Sequence, residues 1–263
     1  MKDTVLVTGA SGGLGLELAR LFAKDGCDVI LTARSEPKLR EIAAQFAADY
    51  GVTATPIAAD LSQPDGVDAL MAAVNGRGFT VDVLVNNAGF GDFGPFAECD
   101  MEKQEKMIAL NVTALVKLTH AVLPAMKAKK HGKILQVASI ASFQAGPLMS
   151  IYYATKAFVL SFSQALSREL KGSGITVTAL CPGPIKTGFE DAANLDNSKL
   201  FSSLKVSTAE DVAAYGYRAT QKGRRIAVHG ALNKLTVFAV RFAPRSLVAN
   251  VVYRIQGQRF PQA

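Results

Sequence analysis

Short runs of aliphatic and β-branched residues alternate with stretches of helical periodicity along almost the whole chain. Strands are predicted at Thr4–Thr8, Asp28–Ala33, Thr53–Ala59, Val81–Asn86, Lys133–Ala138, Ile175–Cys181 and Ile226–His229. Helices are predicted between them, at Gly13–Lys24 and at about 35–50, 65–75, 101–130, 151–171 and 209–222. Runs such as Val5-Leu6-Val7 and Val83-Leu84-Val85 have no polar face. Such strands must be covered on both sides, as in a parallel sheet between helical layers. Strict alternation therefore predicts a single α/β unit, a doubly wound parallel sheet with helices on both faces. Ser207-Thr208-Ala209-Glu210-Asp211 offers two overlapping capping boxes for the last of these helices.

The first strand runs into Thr8-Gly9-Ala10-Ser11-Gly12-Gly13-Leu14-Gly15 and then a helix. Glycines there allow a tight turn and close approach of a pyrophosphate to the backbone. The helix N-terminus adds free N–H groups and the positive end of its dipole. The spacing of Gly9, Gly13 and Gly15 departs from G-x-G-x-x-G, so the strand–helix setting carries the inference of a Rossmann-type nucleotide site. The second strand ends Thr32-Ala33-Arg34-Ser35, with Lys38 one turn on. An NAD site expects an acid here for the ribose 2′-OH, whereas Arg34 suits a 2′-phosphate. NADP(H) is therefore expected over NAD(H).

Tyr152-Tyr153-Ala154-Thr155-Lys156 falls on a predicted helix. Residues four apart share a face, so Lys156 can sit by the Tyr152 phenol and make it a usable acid/base. Tyr153 is three residues from Lys156, and spacing alone leaves it open.

Together these segments resemble the classical short-chain dehydrogenase/reductase family. The family's T-G-x-x-x-G-x-G matches Thr8 to Gly15, and its N-N-A-G matches Asn86-Asn87-Ala88-Gly89. Its helix-borne Asn appears as Asn111, its Ser as Ser139, and its Y-x-x-x-K as Tyr152 and Lys156. Pro182-Gly183 follows the sixth strand, with Ile185 and Thr187 beyond, and Asp60 with Leu61 follows the third. The match spans about residues 3–229. The resemblance selects Tyr152 over Tyr153 and Ser139 over Ser142. It implies that Tyr152 exchanges a proton with the substrate oxygen. It implies that Ser139 polarises the carbonyl, and that Lys156 lowers the Tyr152 pKa and holds the nicotinamide ribose. Asn111 would position a water leading to Lys156. It implies cofactor contacts at Gly9, Ser11, Gly12, Gly13, Leu14, Gly15, Arg34, Asp60, Leu61, Asn87, Ala88, Gly89, Pro182, Gly183, Ile185 and Thr187. A homodimer or homotetramer is the default assembly.

Ligands of doubly wound sheets bind beyond the carboxyl ends of the strands. Phe90, Phe93, Phe143, Leu148 and Phe189 fall there, with Met149 and Phe201, and few charges: Asp92, Lys186, Glu190 and Asp191. An apolar ketone, aldehyde or acyl-type substrate is expected, under a lid at about 184–206. His120, His131 and His229 lack ligand spacing, so no metal is expected. The widely spaced Cys27, Cys99 and Cys181 suggest a reducing compartment, and cytoplasmic residence is expected. No apolar run approaches the ~18–20 residues of a spanning helix.

Charge divides the chain. Residues 1–211 hold 20 basic and 22 acidic side chains; residues 212–263 hold nine basic and no acidic ones. A body so close to neutral argues against nucleic-acid binding. A catalytic domain at 1–230 and a basic amphipathic extension at 231–263 are expected. Leu247, Val248, Val251, Val252 and Ile255 fall at helical spacing in it. Three uses fit that helix: packing on the body or a sister subunit, an anionic membrane surface, or an anionic substrate group such as a CoA phosphate. The leading function is an NADPH-dependent carbonyl reductase. The alternatives are an NAD(P)-dependent alcohol or hydroxysteroid dehydrogenase, and a non-catalytic NADPH sensor.

Overall fold

A computed structural model describes residues 2–186 and 206–256. Seven parallel strands form one sheet in the order β3-β2-β1-β4-β5-β6-β9. They are β1 (Thr4–Thr8), β2 (Asp28–Ala33), β3 (Ala54–Ala58), β4 (Val83–Asn86), β5 (Gly132–Val137), β6 (Ile175–Cys181) and β9 (Ile226–Val228). Two two-residue strands, β7 (Ile185–Lys186) and β8 (Ser207–Thr208), pair in parallel apart from this sheet. The strand order reverses between β1 and β4, which places the ligand crevice there, beyond their carboxyl ends.

Alternate residues of each strand serve opposite helical layers. Val5, Val7, Val29 and Leu31 pack with α1 (Gly13–Lys24), α2 (Glu36–Tyr50) and α7 (Ala209–Gln221). Leu6, Ile30, Leu84 and Ile134 pack with α3 (Gly66–Gly76), α5 (Leu115–Lys129) and α6 (Ser150–Glu169). The doubly wound α/β sheet is thus the observed fold, and the apolar character of both strand faces is its cause.

Three local readings need correction. The predicted helix over 101–130 is α4 (Met101–Ile108), a π-turn over Ala109–Ala114, and α5. By length and composition Met101–Lys129 is apolar enough to cross a membrane, against the expectation of no such run. Leu115, Leu118, Thr119, Val122 and Met126 are nevertheless buried in the fold, so its apolar residues serve the core. At the start of α7 only one of the two offered N-caps forms, without the reciprocal bond of a full box: the Asp211 N–H donates to Thr208 Oγ1 at 3.1 Å. Ser207 lies in β8, its hydroxyl 3.4 Å from His229 Nδ1.

Beyond β9 the chain forms α8 (Ala231–Ala239) and α9 (Arg245–Gln256). The amphipathic face predicted for α9 is split. Val252 is buried and Val248 packs beside it, whereas Leu247, Val251 and Ile255 stand exposed.

Candidate active site

The segments after β1, β4, β5 and β6 build the site. Gly9 and Gly13 adopt left-handed backbone, with φ of 66° and 54°. A Cβ on Gly15 would lie 2.2 Å from the Gly9 carbonyl oxygen, so only glycine lets α1 approach β1 this closely. Thr8 ties the turn to β4: its Oγ1 accepts from the Asn87 and Ala88 N–H groups, each at 2.9 Å. The Asn87 side-chain amide donates to the Thr8 carbonyl at 2.9 Å.

Gly12 caps α1 with no side-chain hydrogen bond, leaving first-turn N–H groups beside Ser11, Gly13 and Leu14 for an anion. A Cβ on Gly12 would sit 3.9 Å from Lys38 Nζ, so that ammonium reaches the turn. Arg34 is exposed at the end of β2. Across from it, burial pushes Asp60 up, but hydrogen bonds from Ser62 and Gln63, with the Arg34 charge, hold it below the usual carboxylate range. Leu61 beside it is buried. A cradle that side chains would fill, with cations at its rim and no carboxylate at Ala33, fits a dinucleotide.

Ser139 follows β5 and caps a 3-10 turn over Ile140–Phe143, accepting from the Ala141 N–H at 3.1 Å. A hydroxyl that accepts there retains its proton for donation. The Ser142 proton is committed, donating to the Lys156 carbonyl at 2.7 Å. Tyr152 hydrogen-bonds Ser139; burial, the larger effect, still drives its phenol above its ordinary pKa. Tyr153 Oη instead accepts from Gln256 Nε2 at 2.8 Å, on α9, and burial pushes it up to about 12. The two phenols that spacing left equivalent thus have different partners.

Lys156 is buried, and Nζ donates to the Val137 carbonyl at 2.9 Å. Burial pushes it down to about 8. Its Nζ lies 5.9 Å from the Tyr152 ring centre. Burial is the largest influence on the Tyr152 phenol, and the Lys156 ammonium, beside its ring, donates to the end of β5.

Asn111 sits in the π-turn, a helical irregularity frequent at functional sites. Its Nδ2 donates to the Phe90 carbonyl at 2.9 Å and to Thr155 Oγ1 at 3.1 Å, and its Oδ1 accepts from the Phe90 N–H at 3.1 Å. Both amide donors are therefore taken by protein rather than held for a water. A Cβ on Gly89 would lie 2.9 Å from Asn111 Oδ1 and 3.4 Å from Lys156 Nζ, so these three residues converge.

Beyond Tyr152 lies an apolar cluster of Ala141, Met149, Tyr153 and Val252, with Phe93 and Val248 against it. Phe143 joins a neighbouring cluster under β6, and Phe90 is held by Asn111. Leu148 has φ of 67°, left-handed for a non-glycine residue, and its carbonyl accepts from the Gly94 N–H at 2.9 Å. Asp92 is neutralised by Lys103 at 2.6 Å and bonded by Gln104 at 2.8 Å, so its charge is absent from the pocket's character. Thr187, Phe189, Glu190, Asp191, Phe201 and nearly all of the expected lid lie outside the described residues.

Packing on the body was one of the uses expected of the C-terminal helix, but not the residues it would meet. Asn233 of α8 closes on Gly183, where a Cβ would lie 2.5 Å from its Nδ2. Pro182 accepts from the Ile140 N–H at 2.9 Å, and Ile185 lies in β7. Val248, Val252 and Gln256 of α9 bear on Met149 and Tyr153. The spacing of Val248, Val252 and Gln256 was the available signal, but it does not name the surface they meet.

Fold and site together define a dinucleotide-binding α/β oxidoreductase. The chain belongs to the short chain dehydrogenase family, whose model matches residues 3–198. It is similar to a serine 3-dehydrogenase of Agrobacterium fabrum, 31% identical over 87% of this chain and 92% of that one. A very-long-chain 3-oxoacyl-CoA reductase of Anas platyrhynchos is 37% identical over 69% of this chain, which spans 59% of its length. Among solved structures, a short-chain dehydrogenase of Sphingobium yanoikuyae in complex with NADPH superposes with TM-score 0.81. It is 32% identical, covering 99% of this chain and 98% of that one. Like its family, the chain acts on alcohol or carbonyl groups with a nicotinamide dinucleotide.

Proposed function

We propose that the protein is an NADPH-dependent reductase of apolar ketones, aldehydes or acyl-type carbonyls. The observation that carries this reading is a half-buried Tyr152, hydrogen-bonded to Ser139 and packed against an apolar cluster. A phenol is protonated at neutral pH and so is ready to serve as the proton donor that the reductive direction needs. The dinucleotide, when bound, supplies hydride to the carbonyl carbon.

The remaining work falls to this chain. Ser139 donates to the carbonyl oxygen and polarises it while its own oxygen still caps the 3-10 turn. Tyr152 Oη then gives its proton to that oxygen. Lys156, cationic below about pH 8, supplies positive charge behind the phenol as it loses its proton, and holds the ribose. Asn111 fixes Phe90 against Thr155 and so locks the β4 turn to the helix carrying Tyr152 and Lys156. Gly9, Gly12, Gly13 and Gly15 leave room for the pyrophosphate, and Arg34 with Lys38 attracts the 2′-phosphate. Phe93 and Met149 supply apolar wall beside Tyr152, with Phe90 and Leu148 on the neighbouring loops.

The three free thiols suit a reducing cytoplasm. Assembly as a dimer or tetramer uses α4 and α6, where Ile108 and Phe158 are exposed. The test is a carbonyl panel with NADPH and NADH oxidation read side by side. Long-chain or aryl carbonyls with NADPH should be turned over fastest. Tyr152→Phe should abolish turnover with NADPH affinity nearly unchanged; turnover equal to the parent's refutes the mechanism.

A further inference from the structure

Among the described residues, seven of the eleven exposed large hydrophobic side chains fall between residues 232 and 255. In α8 and the turn after it they are Leu232, Leu235, Phe238 and Phe242, spaced by three or four. In α9 they are Leu247, Val251 and Ile255, spaced by four. Each set forms one ridge along its helix. The adjacent row of α9, Val248, Val252 and Gln256, faces the body instead. The outward ridge is thus left over after the helix has satisfied its packing.

Four exposed cations accompany the ridges: Lys234, Arg241, Arg245 and Arg254. Asp211 is the last acid in the sequence, so no carboxylate lies on α8 or α9. Among the described residues, none of the four enters a salt bridge. Lys234 lies over the Tyr215 ring at 5.6 Å, which leaves its charge uncompensated.

We propose that α8 and α9 form a docking surface for an anionic lipid bilayer. Apolar ridges enter the headgroup boundary while long basic side chains reach the phosphates, as in interfacial helices. Charge complementarity selects this occupant. A second copy meeting the same face would bring two acid-free basic segments together, which repels. The inner row of α9 rests on Met149 and Tyr153, next to Tyr152, so docking would set the apolar pocket beside the membrane. The inference does not depend on the reductase reading.

The test is co-sedimentation of the full chain with vesicles of phosphatidylcholine, alone or with phosphatidylglycerol, at low and high salt. Binding is expected to need the anionic lipid and to fall steeply with salt. Each basic residue near such a surface contributes about a fivefold factor. The triple variant Arg241→Gln, Arg245→Gln, Arg254→Gln should therefore bind about a hundredfold more weakly. Phe238→Ser with Phe242→Ser should also lose binding; unchanged circular dichroism and NADPH affinity show that it is folded. No binding at low salt, equal binding to both vesicle types, or unchanged binding by both variants overturns the proposal. So does a fall in sedimentation mass in the Phe variant, which would make this face a subunit interface.

Discussion

Lys156 is predicted to cost the fold stability that its removal returns. Its side chain is 5% exposed, and burial lowers its pKa from 10.5 to about 8. At pH 7 the lysine is protonated in both folded and unfolded chains, so the whole burial penalty acts on the folded state. Two to three units, at about 1.4 kcal/mol each, amount to roughly 3 kcal/mol. Lys156→Met keeps most of the volume and loses the bond to the Val137 carbonyl, a loss of about 1 kcal/mol. A net gain of about 2 kcal/mol should raise Tm by roughly 4–8 °C. The folded pKa is depressed, so the penalty is full below about pH 8 and disappears as pH rises to 10.5. The stability gap should therefore shrink at high pH. Urea unfolding of parent and variant at pH 7 and pH 10, at one protein concentration, measures it. NADPH oxidation should be lost in the variant at both. A variant less stable at pH 7, or a gap independent of pH, would refute the reasoning.

Ser139→Ala should lower kcat by about 10²–10³ and destabilise by about 1 kcal/mol through loss of the cap; a change in stability alone would make Ser139 structural. Ala33→Asp with Arg34→Ala should reverse the ratio of kcat/KM for NADPH over NADH, and an unmoved ratio would remove Arg34 from the cofactor site. Val252→Asp buries a charge beside Tyr153 and should raise KM for long apolar carbonyls at least about tenfold. NADPH affinity, measured by fluorescence titration, should stay constant if α9 lines only the substrate side. Gly15→Ala drives a Cβ to 2.2 Å from the Gly9 carbonyl, so NADPH binding should fail in the same titration.

Much of this molecule is legible before folding. β1, β2 and β6 have the bounds read from the sequence, because their dense aliphatic and β-branched residues mark strands covered on both faces. The glycines of the first turn are legible for a related reason: positive φ and close approach admit almost nothing else. The π-turn at Asn111 is not legible, since periodicity through 101–130 stays helical and a one-residue slip in pairing leaves no compositional trace.

The sequence by itself determined the sheet, the order of its elements and the residues brought to its carboxyl edge, because these follow from local periodicity and backbone permissiveness. Tertiary structure alone decided where the Lys156 ammonium points, and that Asn233 and Gln256 reach back onto Gly183 and Tyr153. Those contacts join residues up to 103 positions apart, as for Tyr153 and Gln256. No local pattern encodes them; they are set by which faces remain once the core has packed.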